Sequence, residues 1–196
     1  MIVLASTSPI RRQLLRQAGL VFKTARPPID ETKIKATLKK AGASAAQVAE
    51  KLAEGKAIGV GAILPNAYVI GCDQMMECEG VWFDKPVDRP AARKQLEALR
   101  SKTHRLHSAS VISHEGHVIW QHVESASLTM RDFSDRFLDS YFEAVSEATL
   151  ASVGGYQLEG LGVQLFDKIE GDYFTILGIP LLQLLAALRK AGATIA

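Results

Sequence analysis

Residues suited to binding an anion lie near the start of the chain, where a short apolar segment leads into serines and arginines. Ser8 followed by Pro9 is typical of a helix start, because serine caps free backbone N–H groups and proline fits the first turn. Such a start favours a phosphate or carboxylate, and Ser6 and Arg11 could complete the site. The other interpretation is an ordinary helix cap followed by solvated arginines.

Carboxylates occur at two positions where they could do chemistry. Asp73 follows the apolar residues 69–72, and an aspartate at the end of a buried strand stands where α/β sheets place ligand chemistry. It could bind Mg²⁺ or accept a proton from water, or it could simply cap a turn. Asp30 and Glu31 follow two prolines and could supply a second carboxylate, although adjacent acids in a loop are commonly just solvated.

Basic and glycine-rich segments add weaker candidates. Lys56 lies near the apolar side of an alanine-rich helix, which is compatible with a functional role or with a snorkelling side chain. Lys85 stands in a turn, where a lysine is more commonly solvated. The glycines of residues 154–162 allow close backbone approach or form a tight loop, and they match neither a P-loop nor a dinucleotide-binding fingerprint.

Composition excludes several classes of protein. The chain has 196 residues, 47% of them hydrophobic, and a formal net charge of +2, which provides no general attraction to nucleic acid or membranes. Two cysteines cannot form a disulfide framework and lack the CxxC spacing of a zinc site, and no set of the five histidines has ligand spacing together with a third partner. No apolar segment reaches the roughly 20 residues that a bilayer requires. These features predict a cytoplasmic protein.

Hydrophobic periodicity predicts an α/β domain with a mixed sheet, because helices alternate with strands and hairpins. Ser44 and Gln47 form a capping box at the start of one helix. The predicted strands are residues 2–5, 67–72, 105–113, 118–130 and 163–169, with a hairpin over 75–83. The predicted helices begin at Ser8–Pro9 and Ser44 and cover 88–99, 134–144 and 180–190.

These segments resemble the Maf (septum-formation-inhibitor-like) nucleotide pyrophosphatases over nearly the whole chain. Residues 4–15, LASTSPIRRQLL, are similar to the family's LASxSPRRxxLL pattern. The later family blocks are matched in order by residues 29–32, 52–57, 71–73, 85–86, 103–106, 155–162 and 178–181. The resemblance implies one domain over residues 1–196, with an elongated mixed sheet, flanking helices and two lobes around a central cleft.

The resemblance also implies an activity and a set of site residues. Such enzymes split a nucleoside triphosphate into monophosphate and pyrophosphate with Mg²⁺ or Mn²⁺. Carried over by position, Asp73 would be the proton acceptor and, with Glu31, would hold the metal. The residues that would bind substrate are Ser6, Arg11, Lys56, Lys85 and Glu159.

Three positions bear on the choice of nucleotide. Ile10 replaces the first arginine of the family pattern, Gln74 follows the aspartate where many members have threonine, and Glu159 replaces a frequent glutamine. This combination resembles the 7-methyl-GTP branch, although that branch usually has an aromatic residue where Ile10 stands. The alternatives are a dTTP/UTP pyrophosphatase and a non-catalytic nucleotide-binding regulator of cell division. The expected partner is the nucleoside triphosphate substrate, and we expect binding to neither nucleic acid nor membranes. A homodimer is compatible with a chain of this size.

Overall fold

A seven-stranded mixed sheet with flanking helices organises the computed structural model, which describes residues 1–194. The sheet order is β2-β1-β3-β5-β6-β7, and β4 pairs with β3. The strands are β1 (Ile2–Ala5), β2 (Lys23–Thr24), β3 (Tyr68–Cys78), β4 (Val81–Phe83), β5 (Thr103–His114), β6 (His117–Met130) and β7 (Phe166–Glu170). The helices are α1 (Pro9–Gln17), α2 (Glu31–Lys40), α3 (Ala45–Gly61), α4 (Arg89–Leu99), α5 (Asp135–Ala144), α6 (Glu147–Leu150), α7 (Tyr173–Ile176) and α8 (Leu181–Lys190).

The chain divides into two compact units. The first unit comprises Met1–Gln74, His107–Ser125 and the segment that begins at Asp172, and the second comprises Met75–Leu106 and Ala126–Gly171. Strands β3, β5 and β6 each contribute residues to both units.

In the first unit, β1 pairs in parallel with β2 on one side and with β3 on the other. Its side chains are buried on both faces, as is usual for parallel strands covered by helices. Ile2 and Leu4 pack in a core with residues of α1 and α8, whereas Val3 and Ala5 pack in a core with Val60 of α3. Helix α3 therefore covers one face of the sheet, and α1 with α8 covers the other.

Gly71 allows α3 to lie unusually close to β3. A Cβ atom at this position would stand 2.1 Å from the carbonyl oxygen of Ala53 and 2.7 Å from the backbone nitrogen of Ala57, distances that real Cβ atoms do not show. Both of those residues belong to α3. The glycine therefore sets how near the side chains of α3 come to the residues that follow Gly71 in β3.

The second unit contains antiparallel pairs. Strand β4 pairs with the end of β3, and β7 pairs with the end of β6. Two short 3-10 segments, Val153–Gly155 and Leu161–Leu165, lie between α6 and β7. Inside this unit, the ring nitrogen Nε2 of His104 lies 2.7 Å from the hydroxyl of Tyr156, and both residues are buried.

The prediction of a mixed α/β fold is confirmed, as are the serine caps. The side chain of Ser8 accepts a hydrogen bond from the backbone of Arg11 at the start of α1. Ser44 and Gln47 make both hydrogen bonds of the capping box at the start of α3.

Other element assignments were wrong. Strand β3 runs without interruption to Cys78, so Asp73 lies within a strand instead of after its end. Asp30 and Glu31 do not form a loop, because Asp30 caps α2 and Glu31 is its first residue. Residues 163–165 are in a 3-10 turn, and β7 begins only at Phe166. The sequence interpretation also missed α2, α6 and α7, which are short or carry few buried residues.

None of the helices in the part of the chain that the structure describes has the length and apolar character required to cross a membrane.

Gly71→Ala will destabilise the protein by about 3 kcal/mol, because the added methyl group must displace the backbone of α3. Gly55→Ala is the matched control on α3, since its Cβ would make only ordinary contacts, at 3.8 Å or more, and alanine favours helix by about 0.5–1 kcal/mol. Urea unfolding of both variants measures the difference. Equal stability of the two variants would show that the contact at Gly71 does not constrain the packing of α3.

Candidate active site

A buried lysine side chain contacts two carboxylates in the first unit. The Nζ atom of Lys56 lies 2.5 Å from Oδ1 of Asp73 and 3.0 Å from Oε1 of Glu31. The side chains of Lys56 and Asp73 are each 8% exposed, whereas that of Glu31 is 47% exposed. We refer to these three residues as the ion triad. Charges this deeply buried are tolerated only when they are paired, because burial removes their hydration.

The elements that carry Lys56 and Asp73 explain why the two side chains meet. Side chains alternate along a strand, so Val69, Gly71 and Asp73 share one face of β3. That face is the one covered by α3, as the packing of Val69 with Val60 shows. The glycine brings the helix close at Ala53 and Ala57, and the neighbouring Lys56 then reaches Asp73.

Glu31 reaches the ion triad from α2. The carboxylate of Asp30 accepts a hydrogen bond from the backbone N–H of Lys33 and caps this helix, which fixes Glu31 in its first turn. Residues 28–29, directly before the cap, pack against two glycines of α3. A Cβ at Gly59 would stand 3.2 Å from Pro28, and one at Gly55 would stand 3.8 Å from Ile29. The small residues of α3 therefore allow the segment that carries Glu31 to lie against the helix.

Arg11 contacts β3 next to Asp73, and its guanidinium is held by backbone carbonyls. Its Nε donates to the carbonyl oxygen of Gly178 at 2.8 Å, and its Nη1 donates to that of Cys72 at 3.0 Å. A guanidinium has five N–H donors, so these two bonds leave others that can bind an anion. Gly178 adopts a φ of +100°, and a Cβ there would lie 3.3 Å from the guanidinium. A glycine at this position thus suits both the backbone turn and the docking of Arg11.

Ser6 follows β1 and orders the segment that leads into α1. Its side chain is buried, and its Oγ accepts a hydrogen bond from the backbone N–H of Ser8 at 3.2 Å. The hydroxyl therefore stabilises the approach to the helix N-terminus.

Gln74 holds the segment around α7 against the sheet, a role that its sequence position did not indicate. Its Nε2 lies 3.0 Å from Oγ of Ser108, 3.1 Å from the carbonyl oxygen of Thr175 and 3.0 Å from that of Ile176. The hydroxyl of Ser108 donates to the same Thr175 carbonyl at 2.7 Å. Gln74 thereby fixes the residues just before Gly178, the acceptor for Arg11.

The two carboxylates of the ion triad are suitable ligands for a hard divalent cation. One carboxylate oxygen of Asp73 and one of Glu31 point at the same position, and carboxylates are the ligands that Mg²⁺ and Mn²⁺ prefer. Among residues 1–194, no group of three or more His, Cys, Asp or Glu side chains is arranged to hold a metal ion. Two carboxylates supplemented by substrate phosphates and water are the usual ligands of Mg²⁺ at nucleotide sites.

The structure therefore brings Glu31, Lys56 and Asp73 into direct contact and places Ser6 and Arg11 in the same unit. Lys85 and Glu159, the other two predicted site residues, belong to the second unit, and both are exposed. Lys85 lies between β4 and α4. Glu159 lies in a turn whose backbone is tightly constrained, since a Cβ at Gly162 would stand 2.4 Å from the carbonyl oxygen of Gln157.

Neither cysteine has the properties of a nucleophile. Burial raises the pKa of the Cys72 thiol, which contacts the hydroxyl of Ser110 at 3.3 Å. Burial also raises the pKa of Cys78. Both thiols therefore stay protonated near neutral pH.

Comparison with known proteins identifies the family. The family described as Maf-like protein matches residues 1–191. The chain belongs to the Maf family.

Relatives of this Maf chain are similar to it over almost their full length. A protein of Paramagnetospirillum magneticum named nucleoside triphosphate pyrophosphatase is 53% identical over 190 residues, covering 97% of this chain and 98% of the relative. Proteins named 7-methyl-GTP pyrophosphatase are 50% identical in Brucella abortus, covering 96% of this chain and 95% of the relative, and in Rhizobium etli, covering 97% and 96%. The family resemblance inferred from the sequence motifs is confirmed.

The buried His104 predicts how the stability of this Maf protein depends on pH. Burial lowers the pKa of His104 from 6.5 to about 4, and its Nδ1 has no hydrogen-bond partner among the described residues. Between these two pH values the unfolded chain binds a proton that the folded chain does not, so stability falls as the pH is lowered. The loss attributable to His104 is about 3 kcal/mol by pH 4.

Replacement of His104 by glutamine removes this titration while keeping a polar group near Tyr156. We expect the free energy of unfolding of His104→Gln to fall less steeply between pH 6.5 and pH 4 than that of the unmodified protein. Denaturant unfolding at several pH values measures both slopes. Parallel slopes would show that His104 titrates equally in the folded and unfolded chains.

Proposed function

We propose that this protein is a nucleoside triphosphate pyrophosphatase, which hydrolyses a nucleoside triphosphate to the monophosphate and pyrophosphate. The observation that carries the proposal is the ion triad, in which a buried lysine and two carboxylates meet at one position. The names of relatives that are about half identical over nearly the full chain support the same reaction.

Asp73 is the proposed proton acceptor for the attacking water. Lys56 contacts its Oδ1, which leaves Oδ2 to accept a proton. In the nucleotide-free protein the lysine keeps this carboxylate in place. Removal of a proton from water by a positioned carboxylate increases the nucleophilicity of the water. The oxygen of this water then bonds to the α-phosphorus, the bond from that phosphorus to the oxygen that bridges to the β-phosphate breaks, and pyrophosphate leaves.

Positive groups are required around the substrate because a triphosphate carries several negative charges while the protein has a net charge of only +2. Arg11 and Lys56 lie in the first unit and offer N–H donors to phosphate oxygens. We propose, from the family resemblance, that Ser6, Lys85 and Glu159 also bind substrate.

A divalent cation, Mg²⁺ or Mn²⁺, is the proposed cofactor, and Asp73 with Glu31 would hold it. When bound, the cation supplies positive charge that stabilises the transition state of phosphoryl transfer.

The proposed substrate class is a modified or non-standard nucleoside triphosphate, with 7-methyl-GTP as the first compound to test. Two of the relatives described above carry that substrate in their names. Ile10 is partly buried and packs against the core shared by α1 and α8, so this residue supports the first unit instead of stacking on a base. Any stacking surface for the base must therefore come from elsewhere in the protein.

We further propose that residues 1–196 act as one cytoplasmic functional domain that binds nucleotides and neither nucleic acid nor membranes. The near-neutral composition supports the absence of a general polyanion-binding surface. We also propose a homodimer, which is a common assembly for a chain of this size.

Asp73→Asn will reduce pyrophosphate release at least about 100-fold, because the amide cannot accept the proton. The variant should fold, since Glu31 still pairs with Lys56, but with reduced stability because a buried partner has lost its charge. Glu54→Gln is the control: it also replaces a carboxylate by an amide, on α3, but breaks only an exposed pair with Lys51. Full activity of Asp73→Asn would contradict the assigned role.

A nucleotide panel tests the substrate. We expect 7-methyl-GTP to be hydrolysed with a higher kcat/KM than GTP, UTP and dTTP when pyrophosphate is measured with Mg²⁺ or Mn²⁺. A preference for UTP and dTTP would instead identify the other pyrophosphatase activity. Nucleotide binding without release of pyrophosphate from any member of the panel would identify a nucleotide-binding regulator.

A further inference from the structure

We propose that Lys56 acts as an internal cation that occupies the position between Asp73 and Glu31 until a nucleotide arrives. In this arrangement, a divalent ion can bind both carboxylates only after the Lys56 side chain has moved, so that its ammonium group contacts the nucleotide's phosphates instead. The inference rests on the proposed function and deepens it, because it specifies that nucleotide and metal bind in a linked manner.

The first argument is steric. A single nitrogen atom lies within direct contact of both carboxylates, at 2.5 Å and 3.0 Å. A divalent ion such as Mg²⁺ binds oxygen at about 2.0–2.1 Å and would need much of the same volume. The ammonium and the ion therefore cannot both occupy the space between Asp73 and Glu31.

The second argument is electrostatic. The lysine side chain is 8% exposed, so its charge interacts with its neighbours with little screening by water. One ammonium and two carboxylates have a combined charge of −1, whereas two carboxylates alone would have −2. Lys56 therefore halves the net negative charge available to attract a divalent ion and repels that ion directly.

The third argument concerns which cation of the unit can move. Arg11 is held by hydrogen bonds to two backbone carbonyls, so its guanidinium is fixed to the fold. Lys56 contacts only side-chain oxygens in the described part of the chain, and its flexible four-carbon stem lets Nζ move while α3 stays in place. A triphosphate provides replacement oxygens for the ammonium, which a divalent ion alone does not.

Linked binding has a thermodynamic consequence. If nucleotide removes the ammonium from the carboxylates, then it raises the affinity of those carboxylates for metal, and metal must raise the affinity for nucleotide by the same factor. The nucleotide-free protein should bind a divalent ion only weakly. A variant that lacks the ammonium should bind the ion more tightly in the absence of nucleotide.

The test measures Mn²⁺ binding to nucleotide-free protein by electron paramagnetic resonance of the free ion. We expect Lys56→Met to bind Mn²⁺ at least about tenfold more tightly than the unmodified protein, because a repelling charge has been removed. Lys51→Met is the matched control, since Lys51 lies on α3 in an exposed ion pair with Glu54. Equal or weaker Mn²⁺ binding by Lys56→Met would overturn the proposal.

A second substitution establishes where the ion binds. Asp73→Asn introduced into the Lys56→Met protein should abolish the tighter Mn²⁺ binding. If the double variant still binds Mn²⁺ as tightly as Lys56→Met does, the ion binds elsewhere and the proposal is wrong.

A measurement on the unmodified protein decides the matter even if Lys56→Met does not fold. In nuclear magnetic resonance spectra of lysine side-chain nitrogens, assigned with Lys56→Arg, the Lys56 signal should shift on addition of a non-hydrolysable nucleotide and stay unchanged with Mg²⁺ alone. A shift of that signal with Mg²⁺ alone, at concentrations that saturate the protein, would overturn the inference.

The test of the internal cation and the test of the proposed pyrophosphatase activity can fail independently of each other. Tighter Mn²⁺ binding by Lys56→Met would retain the internal cation. If, in addition, the unmodified protein released no pyrophosphate from any nucleotide, the enzymatic activity would be rejected. Pyrophosphate release by the unmodified protein, accompanied by unchanged Mn²⁺ binding in Lys56→Met, would retain the activity and reject the internal cation.

Discussion

The contact of one buried ammonium group with two carboxylates is the interaction on which the organisation of the first unit depends. Lys56 and Asp73 stabilise each other's burial, because an unpaired charge in the protein interior is strongly destabilising. The requirement to pair them explains the close approach of α3 to β3 at Gly71. It also explains Gly55 and Gly59 of α3, against which the segment preceding Glu31 packs. The packing of this helix is therefore dictated by the site as much as by its apolar face.

The opposite face of β3 is organised by hydrogen bonds to backbone carbonyls. Gln74 binds the carbonyls of Thr175 and Ile176, and Arg11 binds those of Gly178 and Cys72. These bonds connect α1, β3 and the segment after β7, which are distant in the sequence. They hold the guanidinium in one place, in contrast to the Lys56 ammonium, whose polar partners among residues 1–194 are the carboxylates of Asp73 and Glu31. Arg11 is thus a fixed cation and Lys56 a movable one.

The parts of the fold that depend on local chemistry could be predicted from the sequence. Ser8 and Ser44 cap helices because their hydroxyls accept hydrogen bonds from nearby backbone N–H groups, and those interactions span only three residues. The continuation of β3 past Asp73 could not be predicted in this way. A charge within a buried strand contradicts local preference, and only the pairing with Lys56, which is 17 residues away, makes it acceptable.

The sequence named Glu31, Lys56 and Asp73, which the structure brings into contact, whereas their roles and those of the other site residues come from the family resemblance and stay predictions. Composition and spacing alone left Asp73, Glu31 and Lys56 as separate candidates with ordinary alternatives. The hydrogen bonds of Gln74 had no sequence signal, because its acceptors are a serine hydroxyl and backbone carbonyls about 100 residues further along the chain. Such contacts depend on tertiary structure, which a short motif does not encode.

The most direct measurement of the central claim is a crystal structure with Mn²⁺ and a nucleotide whose bond between the α- and β-phosphates is non-hydrolysable, with the ion located by anomalous scattering. The account predicts an ion bound by Asp73 and Glu31, with Nζ of Lys56 on a phosphate oxygen. A nucleotide and ion bound elsewhere, while Lys56 still contacts both carboxylates, would contradict it.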